Sequence, residues 1–329
     1  MLRELRDQTP RSVSHNPAVF LVGCPRSGTT LLQRLVDAHP QIAITHEQCW
    51  VARYFKNRTG LTPEGLVTPG LSASLLEEKR FHKLRVSRDE LERLLEPGKP
   101  VSYASFVTEL FDHYGKAKGK ILVGDKCPSY LRELPTLHAL WPKAKFVHLI
   151  RDGRDVCLSI CNWNKPDRIT VRLVHGAEDN VSTAAFYWQW FVKAGRQAGN
   201  SLGPELYYEL RYEDLVASPE EECAKLCAFL GVPYEDAMLR FHEGRTRRDA
   251  GLDSKGQWLP VTSGLRDWRS DMRPQDVERF EAAAGGLLDE LGYSRACRQP
   301  APETMEQAAR IGALFDTKAR HGEKLPERG

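Results

Sequence analysis

The sequence predicts an α/β protein with a central parallel sheet that is flanked by helices and interrupted by helical insertions. Short apolar runs alternate with amphipathic segments through much of the 329 residues. Strands that alternate with helices are typical of a parallel sheet with helices on both faces. The hydrophobic fraction of 41% allows a chain of this length to bury a large core.

The predicted strands are short runs rich in β-branched and aromatic residues. They are Val19–Val22, Ile42–Thr45, Lys120–Gly124, Lys145–Ile150 and Glu205–Tyr212. The helices that follow them are predicted over 29–38, 47–56, 130–140, 155–162 and 219–230. Further amphipathic helices are predicted within 58–118 and over 181–198, and the Gly-, Asp- and Ser-rich residues 244–263 are predicted to form a mobile loop.

The first strand leads into a loop with the features of a phosphate cradle. Gly23 and Gly28 have the spacing of the nucleotide-binding pattern Gly-x-x-x-x-Gly-Lys-[Ser/Thr], and Thr30 occupies the hydroxyl position. The lysine of that pattern is replaced by Thr29, and the positive charge of the loop is Arg26. Backbone N–H groups at such a loop and helix N-terminus favour an anion. The loop is therefore predicted to bind a phosphate-like group without the usual lysine.

Three segments together carry a resemblance to a known family. Pro25–Leu32 resembles the phosphosulfate-binding loop of the sulfotransferases that use 3′-phosphoadenosine 5′-phosphosulfate (PAPS). Phe146–Val156, continuing to Ser159, looks like the family's 3′-phosphate site, and Leu210–Leu215 resembles its Tyr-Glu-Asp-Leu segment near the adenosine. The segments follow the family's order over 18–295, and three motifs in order are far more specific than one. The resemblance is closest to the protein-tyrosine sulfotransferase-like and bacterial branch.

The resemblance implies a P-loop sulfotransferase-like fold and PAPS as co-substrate, without a metal ion. The donor-binding residues that it implies are Arg26, Ser27, Gly28, Thr29, Thr30 and Leu31 in the loop, Arg151 and Ser159 at the 3′-phosphate, Tyr212 at the adenosine, and Ser263 and Arg266 in a late segment that departs from the cytosolic pattern. Arg26 is also expected to act in catalysis. From the residues alone, Arg151 could instead form a surface ion pair with Asp152 or Asp155, and Tyr212 could be a core residue.

The resemblance also implies candidates for acid–base chemistry. Asp37–Pro40, followed by His46 and Glu47, resembles the tyrosine-sulfating branch, in which a Glu at the position of Glu47 accepts the proton of the acceptor. That branch has two adjacent carboxylates, so His46 is a second candidate base here. Lys126 resembles a family lysine near the transferring group, where it would stabilise charge on the bridging oxygen. Alternatively, Glu47 opens the next helix, where acids are favoured, and Lys126 pairs with Asp125 at the surface.

These features predict transfer of a sulfuryl group from PAPS to a hydroxyl or amine, with release of 3′-phosphoadenosine 5′-phosphate (PAP). Two alternatives are a P-loop nucleotide kinase or NTPase, which the missing lysine at Thr29 and the Arg151 strand end disfavour, and a non-catalytic nucleotide-binding relative. The acceptor stays open among a carbohydrate, a lipid, a small phenolic molecule and a tyrosyl peptide. Residues 53–118 and 163–185 are expected to shape its site.

The net charge and the hydropathy of the sequence limit which partners and which cellular location are expected. The net charge of +3 gives no reason to expect nucleic acid or an anionic membrane surface. Residues 1–17 lack the apolar segment of a signal peptide, and no apolar run approaches a membrane span, so a soluble cytoplasmic protein is predicted. The sulfotransferase domain is predicted over 18–297, between the polar arm 1–17 and the polar tail 298–329. Apolar spacing in the tail indicates a helix that docks on the body or on a second copy in a homodimer.

The eight cysteines are predicted to be free thiols, because the cytosol is reducing and they form no metal-binding pattern. Cys24 lies in the phosphate loop and is predicted to be an exposed, oxidisable thiol with a low pKa.

Overall fold

The computed structural model describes residues 18–95, 100–162, 174, 177–243, 259–262, 264 and 266–322. Its centre is a parallel sheet in the order β2-β3-β1-β4-β5. The strands are β1 Val19–Gly23, β2 Ile42–His46, β3 Leu122–Lys126, β4 Lys145–Ile150 and β5 Tyr207–Arg211. The predicted fold class is confirmed.

Helices cover both faces of this sheet. They are α1 Thr29–Ala38, α2 Trp50–Lys56, α3 Gly70–Glu77, α4 Arg88–Leu94, α5 Tyr103–Ala117, α6 Leu134–Leu140, α7 Gly153–Cys161, α8 Asn180–Leu202, α9 Tyr212–Ala217, α10 Pro219–Leu230, α11 Trp268–Asp271, α12 Pro274–Glu290 and α13 Pro302–Gly322. Short 3₁₀ helices lie at Phe81–Leu84, Pro128–Arg132 and Asp236–Met238.

The core is divided into two layers because successive side chains of a strand point to opposite faces. On one face, Phe20 stacks on Phe146 with ring centroids 5.5 Å apart, and this cluster continues into α5, α7, α8 and α12. On the other face, Leu21 and Val147 pack with residues of α1 and α10. All four side chains are fully buried, so both surfaces of the central strands are removed from water.

The register of the sheet brings distant segments to one edge. Gly23 lies beside Leu149, His46 beside Lys126, and Ile150 beside Arg211. Because all five strands are parallel, their carboxyl ends meet at the same edge, where ligands bind in sheets of this kind. The phosphate loop and the residues that follow β2, β3, β4 and β5 are therefore neighbours in space.

Some element boundaries differ from the sequence-based prediction. Strand β3 begins at Leu122 and ends at Lys126, so Lys126 belongs to the strand. Helix α2 begins at Trp50 rather than at Glu47, whose backbone is in the left-handed region with φ 47°. The helix predicted over 130–140 is a 3₁₀ turn followed by α6. The predicted loop 244–263 lies almost wholly outside the described residues.

The C-terminal segment contains the long helix α13, which packs on the body through its apolar face. The ring of Phe315 lies 6.3 Å from that of Phe186 and 5.8 Å from that of Trp190, both on α8. Leu314 on the same helix is 48% exposed. Within the part of the chain that the structure describes, no helix combines the length and the apolarity needed to cross a membrane.

Two of the predictions about cysteines are wrong. Cys49 and Cys127 form a disulfide, with their Cα atoms 5.8 Å apart. The parallel register brings them together, because Cys49 lies just beyond β2 and Cys127 just beyond the paired strand β3. Cys24 is fully buried, and burial raises the pKa of its thiol well above the usual value. An exposed, low-pKa thiol is thereby excluded at Cys24.

Candidate functional site

The phosphate loop joins β1 to α1 through two residues with left-handed backbone. Arg26 has φ 79° and Gly28 has φ 97°. Gly28 is the N-cap of α1 and offers no side chain, so the first amides of the helix have no side-chain cap. A helix leaves its first amides without acceptors four residues back, although the N–H of Leu31 donates to the Gly28 oxygen at 2.9 Å. The buried hydroxyl of Ser27 has no hydrogen-bond partner among the described residues. A helix N-terminus with this buried hydroxyl beside it fits a bound anion.

Arg26 connects the loop to the second predicted motif. Its Nε donates a 2.9 Å hydrogen bond to Oγ of Ser159, 133 residues later in the chain. Ser159 is buried on α7, the helix that follows β4. The structure thus brings together the two residues that the resemblance assigned to opposite ends of the donor.

Arg151 follows β4 directly and is 5% exposed. Its Nη2 donates to Oδ2 of Asp155 at 3.1 Å, and its guanidinium lies 4.2 Å from the ring centroid of Tyr212. The indole of Trp188 donates to the backbone oxygen of Arg151 at 3.1 Å. The ion pair with Asp155 exists, but it is buried and not a surface pair. The Nε of Arg151 has no partner among the described residues, which leaves a buried donor for an anion.

Tyr212 closes one side of the phosphate loop. A Cβ added to Gly28 would lie 2.6 Å from two ring carbons of Tyr212, so the ring sits where only glycine leaves room. Burial, followed by the nearby Arg151, lowers the pKa of the Arg266 guanidinium. Arg266 is therefore close to the Arg151–Tyr212 pair. Ser263 lies outside the described residues.

Arg154, by contrast, is a structural residue. It is fully buried, and it pairs with Asp152 at 2.7 Å and with Glu281 of α12 at 2.6 Å. A fully paired and buried guanidinium has no capacity left for a ligand, so Arg154 fastens α7 to α12.

Glu47 and Lys126 form a pair at the ends of the adjacent strands β2 and β3. Nζ of Lys126 donates to Oε1 of Glu47 at 2.6 Å, and the backbone N–H of Glu47 donates to the oxygen of Lys126 at 3.0 Å. The side chain of Lys126 is 4% exposed, so it is not half of a surface pair with Asp125. Arg80, which lies between α3 and the 3₁₀ helix Phe81–Leu84, donates to Oε2 of the same carboxylate.

His46 lies next to the Glu47–Lys126 pair, but its ring is hydrogen-bonded to Gln33. The amide Nε2 of Gln33 donates to the oxygen of Thr45 and to Nδ1 of His46, both at 3.0 Å. Nδ1 is then the acceptor nitrogen, and Nε2 carries the proton of the neutral ring. Desolvation, Lys83 and Lys126 lower the pKa of His46 to about 4. In this arrangement one ring nitrogen of His46 is bonded to Gln33 and the other carries a proton.

Asp125 shapes the turn that carries Glu47. Its Oδ1 accepts from the hydroxyl of Thr45 at 2.6 Å and from the backbone N–H of Gln48 at 3.1 Å. Burial raises the pKa of Asp125 to about 6. Its place in Gly124-Asp125-Lys126, at a strand end, was a usable sequence signal. Arg80 had no such signal, since it lies 33 residues from Glu47 in an irregular segment.

The described residues contain no group of three or more His, Cys, Asp or Glu side chains that could hold a metal ion.

A glycine-bearing loop that leads into a helix N-terminus, at the centre of a parallel sheet and beside an ion-paired carboxylate, has the features of a site for an anionic ligand. The chain belongs to the sulfotransferase family, whose model matches residues 17–236, and its class is therefore that of a sulfotransferase.

Curated relatives agree with this family. The chain is 28% identical to a protein-tyrosine sulfotransferase of Drosophila melanogaster over 312 residues, covering 90% of this chain and 56% of the fly protein. It is 25% identical to a putative protein-tyrosine sulfotransferase of Caenorhabditis briggsae, covering 86% and 91% of the two chains. It is also 27% identical to the nodulation protein NoeE of Sinorhizobium fredii, covering 87% and 68%.

Solved structures agree on the fold. The sulfotransferase domain of the Synechococcus PCC 7002 olefin synthase matches with a TM-score of 0.58 at 24% identity, covering 87% of this chain and 98% of that one. The sulfotransferase domain of the curacin biosynthetic pathway matches with a TM-score of 0.58 at 20% identity, covering 85% and 98%.

Proposed function

We propose that the protein transfers the sulfuryl group of PAPS to an acceptor hydroxyl, with Glu47 as the base. The observation that carries the proposal is the Glu47–Lys126 pair, 2.6 Å apart, at the sheet edge that also holds the phosphate loop. PAPS supplies an activated sulfuryl group on a good leaving phosphate. In the transfer, the bond from sulfur to the bridging oxygen breaks, a bond from sulfur to the acceptor oxygen forms, and the acceptor proton passes to Glu47.

The donor would be held at its two anionic ends. Arg26 and the amides that begin α1 would bind the 5′-phosphosulfate, and Ser159 would join Arg151 at the 3′-phosphate. The buried Ser27 hydroxyl and Arg151 Nε, which have no partner in the part of the chain that the structure describes, support this fit. Tyr212 would contact the adenosine. Arginine suits both ends because its fixed fork of donors matches phosphate oxygens.

Lys126 and Arg26 would stabilise charge as it develops on the bridging oxygen. A fixed cation that is shielded from water contributes more to catalysis than the same charge in bulk solvent. The side chain of Lys126 is almost completely buried, which supports this role. Its contact with Glu47 also couples the group that accepts the proton to the group that faces the leaving oxygen.

The hydroxyl of a tyrosyl residue is the acceptor we propose to test first, because several relatives carry the name protein-tyrosine sulfotransferase. Radiolabelled sulfate from PAPS should appear in a tyrosine-containing peptide, and Glu47→Gln should lower the rate of this transfer by about a hundredfold or more. If the peptide stays unlabelled while another hydroxyl compound in an extract is labelled, the acceptor assignment is wrong and the reaction class stands.

Donor binding provides a test that needs no acceptor. PAP should raise the melting temperature without Mg²⁺, and Arg151→Ala should weaken the binding of PAP but not that of AMP, which lacks the 3′-phosphate. Stabilisation by Mg·ATP alone would instead indicate a nucleotide kinase or NTPase. Binding of PAP with no sulfuryl transfer to any acceptor would indicate a non-catalytic relative.

A further inference from the structure

A second cation from outside the sheet holds the carboxylate of Glu47. Arg80 lies between α3 and the 3₁₀ helix Phe81–Leu84, in the insertion that separates β2 from β3. Its Nη1 donates to Oε2 of Glu47 and, at 3.2 Å, to the backbone oxygen of the same residue. Side-chain exposure is 33% for Arg80 and 4% for Lys126. Arg80 is thus the solvent-facing cation of the two.

The backbone of Arg80 is fastened to the same turn. Nε2 of Gln48 donates to the oxygen of Arg80 at 3.0 Å, and Oε1 of Gln48 accepts from the indole of Trp50 at 2.7 Å. Gln48 is fully buried. The Arg80 side chain therefore reaches Glu47, while the residue after Glu47 holds the Arg80 backbone. This closed ring of contacts ties the insertion to the turn that carries the base.

Glu47 needs such support for two reasons. Its φ of 47° is in the left-handed region, which is costly for a residue with a Cβ. Lys126 donates to Oε1 and Arg80 to Oε2, so two cations from opposite sides act on the orientation of the carboxylate. A base must be held in hydrogen-bonding reach of the proton that it accepts.

We propose that Arg80 is a positioning residue for sulfuryl transfer, which acts through Glu47 by fixing the orientation of its carboxylate and keeping it ionised. The inference rests on the proposed role of Glu47 as the base. It assigns a function to the insertion, since this contact with the reaction centre comes from a segment that lies outside the sheet.

The first test measures Glu47 directly and needs no acceptor. In protein labelled with [5-¹³C]glutamate, Glu47→Gln identifies the Glu47 carboxyl signal by its loss. Removing the neighbouring cation in Arg80→Gln should raise the pKa of Glu47 by about one unit, because an adjacent opposite charge stabilises the ionised form. Arg80→Lys, which keeps the charge, should shift it less. Arg88→Gln removes the same charge from an exposed position on α4 and should leave the titration unchanged.

The second test is the transfer rate to the tyrosyl peptide. Arg80→Gln should lower kcat about tenfold, a part of the hundredfold or more that a general base provides. The acid limb of the pH profile should move to higher pH, the affinity for PAP should stay constant, and Arg80→Lys should recover part of the rate. A purely structural role would lower the melting temperature without moving the acid limb.

The outcomes separate the two proposals. If the wild-type protein transfers no sulfate from PAPS, or if Glu47→Gln stays fully active, the proposed function or its base is wrong. If the wild type is active and Glu47→Gln is inactive, but Arg80→Gln changes neither the Glu47 titration nor kcat, only the role of Arg80 is overturned. Should Arg80→Gln fail to fold, Arg80→Lys carries both readouts.

Discussion

At the scale of single residues, the sheet edge contains two groups of side chains for which we propose different roles. Arg26 and Ser159 meet on one side, and Arg151 lies against Tyr212; these residues form the half of the site that we propose binds the donor. Glu47 belongs to the other half, where cations surround a carboxylate. The separation means that donor affinity and turnover should respond to different substitutions.

The first prediction concerns which residue, Glu47 or His46, acts as the base. Glu47→Gln should lower turnover by about a hundredfold or more, because it removes the proton acceptor, and PAP binding should be unchanged. His46→Gln should retain most of the turnover, because Nδ1 of His46 is already bonded to Gln33. Both are measured as kcat with the tyrosyl peptide and as PAP affinity. Loss of turnover in His46→Gln alone would reverse the assignment.

At the scale of elements, the loop between β1 and α1 depends on a glycine with two separate requirements. Gly28 needs a left-handed backbone, and its missing Cβ makes room for the Tyr212 ring. The glycine pattern of the sequence predicted the loop, but it gave no sign that a strand end almost two hundred residues later covers it.

Gly28→Ala should therefore destabilise the protein and weaken PAP binding. Gly119→Ala is a matched control, since Gly119 also has positive φ but has no atom within 4 Å of an added Cβ. The control should show only the backbone cost, about 1 kcal/mol in the free energy of unfolding. Gly28→Ala should exceed it by about a further 1–3 kcal/mol from overpacking. Equal losses in urea unfolding would show that the Tyr212 contact is easily relieved.

Strand β4 contains a buried titratable group that makes stability depend on pH. His148 is fully buried, its Nδ1 lies 2.5 Å from the hydroxyl of Tyr207, and burial lowers its pKa to about 3. The unfolded chain takes up this proton near pH 6.5, whereas the folded protein resists it. Stability should thus be complete above pH 6.5 and fall as the pH drops toward 3.

The expected slope from this one histidine is about 1.4 kcal/mol per pH unit. Urea unfolding at pH 7, 6 and 5 measures it, and His148→Gln should remove that part of the slope whatever its effect on stability at pH 7. His113→Gln, at a partly exposed position on α5, is the control and should keep the slope. An unchanged slope in His148→Gln would contradict the assignment.

At the scale of the whole molecule, the features that could be predicted from the sequence are those that short stretches of residues encode. Strands such as Lys145–Ile150 and the phosphate loop have short-range signatures, and parallel order then brings Arg151 to the loop. The register of β2 and β3 places Cys49 beside Cys127, whereas the contact of Arg80 with Glu47 depends on how the insertion between these strands folds back over them. No local period encodes that path, and an assumed compartment led to the wrong prediction for the two cysteines.

The disulfide should be a large contributor to overall stability. Cys49 and Cys127 are 78 residues apart. A cross-link that closes a loop of this length lowers the conformational entropy of the unfolded state, which stabilises the folded protein by about 4 kcal/mol. Cys49→Ala/Cys127→Ala should lower the free energy of unfolding by up to this amount. Cys223→Ala, a free buried thiol, controls for loss of a sulfur atom. A double variant as stable as the control would show that the bond adds nothing.

The redox state of the Cys49–Cys127 bond determines which form of the protein is present in an assay. The bond lies two residues after Glu47 and one after Lys126, so it joins covalently the two turns that carry the proposed base and its lysine. Dithiothreitol, routinely added to protect thiols, reduces disulfides, and reduction of this bond would leave the two turns joined by noncovalent contacts such as that from the Glu47 N–H to the Lys126 oxygen. Preparations made with and without reductant are therefore two chemical species. A negative activity assay carries meaning only when the oxidised one has been tested.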